Sequence, residues 1–246
     1  MTKVINRLKK EIIRAAYQAQ EGHVASAFSI LDMLWVLYDR VLKKDYFILS
    51  KGHGCLGLYA VLAEKGFFPK SWLKDFGKYN SKLGGHPDWK QVPGVEASTG
   101  SLGHGLPMAV GMALGLKIKK KLKKVYCLIG DGEANEGSIW EAVMLGAQHR
   151  LDNLICLVDY NHSTDRALEL GDLREKFSSF GWQVTKINGH NHQEIYQALK
   201  KQADKPLAII AKTIKGYGVK EMENNPAWHH RSPTKEEMER ILTELS

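Results

Sequence analysis

The chain has 246 residues and a formal net charge of +8, long enough for one large α/β domain with a substantial core. It holds no run of the roughly 18 apolar residues that spans a membrane, and its Lys-rich start, Met1 to Arg14, lacks the apolar stretch of a secretory leader, so a cytoplasmic location away from membranes is expected. Nor does the charge read as a nucleic-acid footprint: its densest run, Lys117 to Lys124, has no interleaved aromatics and no accompanying helix-turn-helix, zinc or RNA-binding motif. It reads instead as a helix end complemented by lysines and a solvated loop, with a positive bias that would help collect phosphorylated sugars.

Helical periodicity covers Val4 to Gln20 and Ser29 to Val41, with a turn at His23 between them. A short strand, Tyr46 to Leu49, delivers Ser50-Lys51-Gly52-His53, and a helix follows from about Cys55 to Lys65. Phe67 to Val92 is rich in Gly, Pro and Trp and reads as ordered but irregular, carrying His86. An apolar helix runs from His104 to Leu116, then a strand from Val125 to Ile129, a helix from Gly137 to His149 and a strand from Leu154 to Val158. The segment from Asn161 to Asp172 lacks periodicity and reads as loop. Beyond it come a helix (Leu173 to Phe180), a strand (Gln183 to Ile187), a helix (Gln193 to Gln202) and a strand (Leu207 to Ala211). The tail, Pro233 to Leu245, reads as a charged helix with Thr234 as cap and Glu237 completing a capping box. No repeat, low-complexity tract or linker divides residues 1–246, which are expected to form one domain. Cys55, Cys127 and Cys156 have no metal-ligand spacing, and Cys127 and Cys156, inside expected strands, are expected as small buried thiols in a reducing cytosol.

Chemistry concentrates at Gly130-Asp131-Gly132 and at Asn161, about thirty residues on. Each follows an apolar run, and the helix between them makes a right-handed βαβ unit, so Asp131 and Asn161 leave the carboxyl ends of parallel strands. Neighbouring strands lie about 4.8 Å apart, which lets a carboxylate and an amide oxygen grip one hard cation. Mg²⁺ takes only one or two carboxylates when it also holds a diphosphate, and Gly132 lets the backbone approach a phosphate.

This pair resembles the thiamine-diphosphate signature, and further motifs resemble the transketolase branch of that superfamily, from about Glu21 to Arg231. They are Gly22-His23, Leu49 to Gly54, Gly85-His86-Pro87-Asp88, Pro93 to Gly103, Glu136 to Ala142, Ala167 to Leu173 and Asn225 to His229, in the family's order. The resemblance implies a parallel sheet flanked by helices on both faces, the diphosphate-type domain of the thiamine-diphosphate-binding fold. It implies thiamine diphosphate and Mg²⁺ as cofactors, with Asp131, Asn161 and the Ser163 carbonyl holding the metal and the Gly132 N–H reaching a phosphate. His53 would contact the diphosphate, and Gly100, Ser101 and Leu102 would line the cofactor through backbone atoms. His23 and His229 would contact the sugar, His229 also lying near the diphosphate, and His86 would meet the hydroxyl end of the donor. Glu136 would join a carboxylate network at a subunit interface; a helix-start glutamate favoured by the dipole is the plainer alternative.

The sequence departs from the family at His104, where Gln is usual, and at His230, where Gly is usual. A histidine at 230 would be strained if that glycine needs a positive φ. The stretch from Val41 to Tyr46 is shorter than usual, and His162 to Arg166 lacks the common wording.

The family's activity is transfer of a two-carbon ketol unit from a ketose phosphate to an aldose acceptor. The chain ends at Ser246, before the family's pyrimidine-binding and C-terminal domains, so a second subunit carrying them is expected, in an α2β2 heterotetramer. Two alternatives stay open: a transketolase-like half for a specialised sugar in a dedicated pathway, and a non-catalytic scaffold subunit. The 1-deoxyxylulose-phosphate synthase and oxo-acid dehydrogenase branches share the metal motif but lack Gly-His-Pro-Asp and Trp-His.

Overall fold

The computed structural model describes residues 2–164 and 168–246; Asp165, Arg166 and Ala167, within the expected loop, lie outside the described residues. Its sheet has five parallel strands: β1 (Tyr46–Leu49), β2 (Val125–Gly130), β3 (Leu154–Tyr160), β4 (Gln183–Asn188) and β5 (Leu207–Lys212). The spatial order is β1-β2-β3-β5-β4. Side chains alternate between two cores, as a pleat buried on both faces requires. Leu128, Leu157 and Ile209 face one, while Ile129, Val158 and Ile210 face the other.

The first core packs under α1 (Thr2–Ala19), α2 (Val24–Val36), α3 (Cys55–Glu64), α7 (His192–Lys200) and α8 (Lys235–Glu244). The second lies under α4 (Gly105–Ile118), α5 (Gly137–Gln148) and α6 (Leu173–Ser179). The expected fold, helices on both faces of a parallel sheet, is the observed one. Among the described residues no helix is long and apolar enough to cross a membrane. The capping box is present: Glu237 N–H donates to Thr234 Oγ1 at 3.2 Å and Thr234 N–H to Glu237 Oε2 at 2.8 Å. The three cysteines are free and buried, and burial pushes the Cys55 thiol up to about 12.

One boundary differs by more than two residues. The second helix begins at Val24, directly after His23, not at Ser29, and ends in a π-turn over Leu37–Val41. All thirteen residues of α2 are buried, so no polar face marks where it starts. Its one acid, Asp32, is held from two sides: His190 Nδ1 lies 2.9 Å from Oδ2 and His192 Nε2 2.6 Å from Oδ1. Because the Ile214 N–H donates to His190 Nε2 at 2.9 Å, the ring proton sits on Nδ1 and faces Asp32. Asp32 thus ties α2 to the turn before α7 and to the segment after β5.

Removing a buried charge-assisted partner costs about 2–4 kcal/mol, the loss expected for Asp32→Ala. Burial works to raise the Asp32 carboxyl, but the His190 and His192 hydrogen bonds hold it below its ordinary 3.8. Its contribution is therefore complete above that value and is lost as pH falls through the lower folded one. Urea unfolding should show the gap between wild type and Asp32→Ala closing at acid pH; a gap that persists there would refute this assignment.

Candidate active site

Gly130 pairs with Asp159 in the β2–β3 register, so Asp131 and Asn161 emerge side by side at the carboxyl edge of the sheet. The Ser163 N–H lies 3.1 Å from Asp131 Oδ2 and 3.1 Å from Asn161 Oδ1. A single donor reached by both oxygens shows that they converge. Asn161 presents its oxygen because its NH₂ is turned away, donating to Asp159 Oδ2 (3.0 Å) and Ser29 Oγ (3.2 Å). Burial and the nearby Asp159 push the Asp131 carboxyl up, the direction a hard cation would offset. A buried carboxylate and an oriented amide oxygen, with a main-chain turn at Ser163, fit Mg²⁺ by their donor chemistry. The Gly132 N–H, expected to reach a phosphate, donates to Asp131 Oδ1 at 2.7 Å, so the neighbouring carboxylate engages it here.

Behind this edge lies a buried polar knot. Asp159, fully inaccessible, accepts from Lys51 Nζ (2.5 Å), Thr213 Oγ1 (2.5 Å), Ser29 Oγ (2.6 Å) and Asn161 Nδ2. Burial opposes its charge, yet Lys51 together with the hydroxyls holds its carboxyl below the ordinary range. A second buried ammonium, Lys215 Nζ, stands 2.7 Å from His229 Nδ1. Burial, then Lys51, lowers Lys215 to about 8, against the pull of Asp131 and Asp159. Lys215, His229, Asn161 and Ser163 line one cleft of about 630 Å³.

Glu133, buried inside the Gly-Asp-Gly-Glu turn, fixes the opposite wall. Its Oε1 accepts from Ser50 Oγ and from Gly103 N–H (2.9 Å), its Oε2 from Gly130 N–H (3.1 Å). This ties the end of β1 and the Gly100-Ser101-Leu102 loop to the Gly-Asp-Gly turn, and Thr99 Oγ1 adds a bond to the Leu49 carbonyl (2.6 Å). The loop approaches so closely that a Cβ on Gly52 would lie 2.9 Å from Gly100 N, a contact only glycine admits.

The histidines meet at the mouth. His23, at the start of α2, has His53 5.1 Å away, His229 5.7 Å away and His230 stacked on it at 4.4 Å, between ring centroids. His86 packs over Gly100, whose added Cβ would sit 3.1 Å from its ring; its carbonyl accepts from Tyr59 Oη (2.9 Å). Burial, then His230, His229, His86 and Lys215, lowers His23 to about 4; burial, then Lys51 and His23, lowers His53 to about 2. His229 is lowered by burial and Lys215. At neutral pH these three rings are uncharged, each with one donor and one acceptor. Among the described residues no group of three or more His, Cys, Asp or Glu is placed to hold a metal ion.

Thus His86 packs over Gly100, His23 and His53 cluster with His229, Asp131 accepts from both Gly132 and Ser163, and His229, Asn161 and Ser163 line the cleft. Glu136 does not enter it: it is exposed at the start of α5 and makes no side-chain cap bond, its Cβ lying against Gly103. His104 is exposed at the start of α4. The strain considered for His230 is absent, since its φ lies outside the positive range. Sequence reasoning missed Asp159, Lys51, Lys215, Thr213, Ser29 and Glu133 as site residues. The available signal was a polar residue at the end of an apolar strand run, at Asp159, Thr213 and Ser50-Lys51.

Fold and site together define an open α/β domain with a polar cleft beyond the carboxyl ends of its strands. Residues 1–245 match the family model described as "Transketolase, thiamine diphosphate binding domain". One separately named subunit of the apulose-4-phosphate transketolase of Phocaeicola vulgatus is 38% identical, the match covering 97% of this chain and 91% of that protein. A 6-deoxy-6-sulfo-D-fructose transketolase subunit of Clostridium sp. is also 38% identical, over 98% of this chain and 94% of its own length. The crystal structure of transketolase from Campylobacter jejuni superposes with a TM-score of 0.93 at 31% identity, covering 99% of this chain and 42% of that one. The chain belongs to the transketolase family of ketol-transferring enzymes, of which it is the N-terminal, thiamine-diphosphate-binding part.

Proposed function

We propose that this chain is the diphosphate-binding subunit of a two-polypeptide transketolase acting on a specialised sugar. One observation carries the reading: the chain matches 91% and 94% of two proteins named as separate transketolase subunits, but 42% of an undivided transketolase. The sugars in those subunits' names favour a specialised ketose over the general ketose phosphate implied by the motifs. A scaffold would need none of the polar knot behind Asn161.

Thiamine diphosphate, when bound, supplies the carbanion chemistry that cleaves the donor ketose beside its carbonyl. Asp131, Asn161 and the Ser163 carbonyl would hold Mg²⁺. Lys215, His53 and His229 would face the diphosphate, with Gly132 and the backbone of Gly100, Ser101 and Leu102 against the cofactor. Asp159 and Lys51 keep the Asn161 oxygen aimed. Neutral His23 and His229 would exchange hydrogen bonds with sugar hydroxyls, and His86 would meet the hydroxyl end of the donor. Glu136, outside the cleft, would serve a contact between subunits. Residues 1–246 would act as one domain, in a cytoplasmic α2β2 assembly whose second subunit brings the pyrimidine-binding and C-terminal domains and the group that activates the cofactor.

The chain purified alone should show no ketol transfer and weak cofactor binding. Mixed with its partner, thiamine diphosphate and Mg²⁺, it should turn over at the ordinary enzymatic rate of about 1–10³ per second. Turnover of that order by the single chain would overturn the two-polypeptide reading.

A further inference from the structure

His230 occupies a position beside the sugar cleft that its geometry does not explain as simple surface. Its ring lies flat on His23, centroids 4.4 Å apart and planes 19° apart. The surrounding backbone is fixed on both sides. A parallel bridge pairs His23 with Arg231, and Arg231 stacks its guanidinium over Trp228 at 4.1 Å and pairs with Glu237. Upstream, the Asn225 side chain caps the Pro226–Trp228 turn at 3.1 Å, and Lys215 holds His229. His230 is thus anchored through its backbone neighbours, and its exposed ring stacks on His23. With His53 tilted at 54° and His229 edge-on at 79°, it leaves His23 little freedom to turn without meeting a ring.

We propose that His230 is a specificity-determining residue: by covering one face of His23 it takes space at the cleft mouth that a glycine would leave open, and so disfavours ketoses of longer chain. The inference rests on the ketol-transfer reading above. The distal carbons of a long donor would meet the imidazole, whereas a short donor clears it and reaches the free edge of His23. Filling or emptying such a pocket by a small group changes discrimination by roughly 10–200-fold.

The test compares wild type, His230→Gly and His230→Phe, each assembled with partner, thiamine diphosphate and Mg²⁺, on ketose phosphates of five, six and seven carbons. Wild type should favour the shortest. His230→Gly should lose at least about tenfold of that preference, mainly through a lower KM for the long donors, and His230→Phe, which keeps the bulk, should retain it. An unchanged ratio of kcat/KM in His230→Gly overturns the proposal.

Failure of wild type to use these donors and a sulfonated ketose alike would instead count against the ketol-transfer reading, and a second measurement then decides the role of His230. His53, His86, His229, His230 and Lys215 are the titratable groups that face His23. The imidazole resonances of His23 should titrate nearer the ordinary histidine value in the His230→Gly chain alone. Identical titration in both chains would show that His230 does not cover His23, and would overturn the proposal as well.

Discussion

Asp131→Asn is expected to weaken binding of thiamine diphosphate with Mg²⁺ by roughly 100-fold or more, given that even groups behind a metal's ligands cost 10–100-fold. Asp131 is the one anionic oxygen donor in the proposed set, and the amide replacing it keeps the shape but not the charge, and keeps only one acceptor oxygen where Oδ1 and Oδ2 now serve Gly132 and Ser163 separately. Stability should move the other way. Burial and Asp159 raise the Asp131 carboxyl, so the folded state holds its proton more tightly than the unfolded chain does. Ionised Asp131 therefore contributes less and less as pH rises, and at neutral pH it opposes folding. Without cofactor, the variant should be as stable as wild type or more so, the pattern of a residue kept for binding. Calorimetry with partner present gives the affinity, and thermal unfolding of the chain alone gives the stability. Cofactor affinity equal to wild type would remove Asp131 from the metal site, and a large loss of stability would make it a structural residue.

Legibility followed physical locality. Strands β2 and β3 could be read because each is an apolar run buried on both faces that stops at a polar residue, and α5 between them fixes both as parallel neighbours. Asp131 and Asn161 follow from that unit alone. The start of α2 could not be read, because a helix buried on every side has no hydrophobic period. The knot around Asp159 was hidden for another reason: Ser29 and Lys51 stand 130 and 108 residues from it in sequence. A polar residue at the end of an apolar run is as consistent with a cap as with a site, and only the assembled sheet separates the two. Glu133 directly follows Gly130-Asp131-Gly132 yet carries no signal of its own in the sequence, since its three partners come from three segments. His230 was visible only as a departure, and its stacking on His23 required the bridge at Arg231.

Asp159→Leu should produce the largest loss of stability in the molecule's polar interior, about 3–5 kcal/mol, because it leaves the Lys51 ammonium buried without its counter-ion. In a chain of this size that corresponds to a fall in Tm of about 6–20 °C. Replacing the pair together, Asp159→Leu with Lys51→Met, removes the uncompensated charge and should recover most of the stability, as apolar replacement of buried ion pairs often does. Cofactor binding should not recover with it. Asn161 would still lack the Asp159 carboxylate, the charged one of the two acceptors that turn its NH₂ inward, and with Ser29 Oγ alone its oxygen would be held less firmly toward Asp131. The double variant therefore separates two roles that the single one confounds. Restored Tm with weak cofactor binding supports Asp159 as the residue that aims Asn161. Restored Tm with full binding reduces the knot to packing. A single variant within about 1 kcal/mol of wild type would contradict the buried pair itself, since surface substitutions alone stay within about 0.5 kcal/mol.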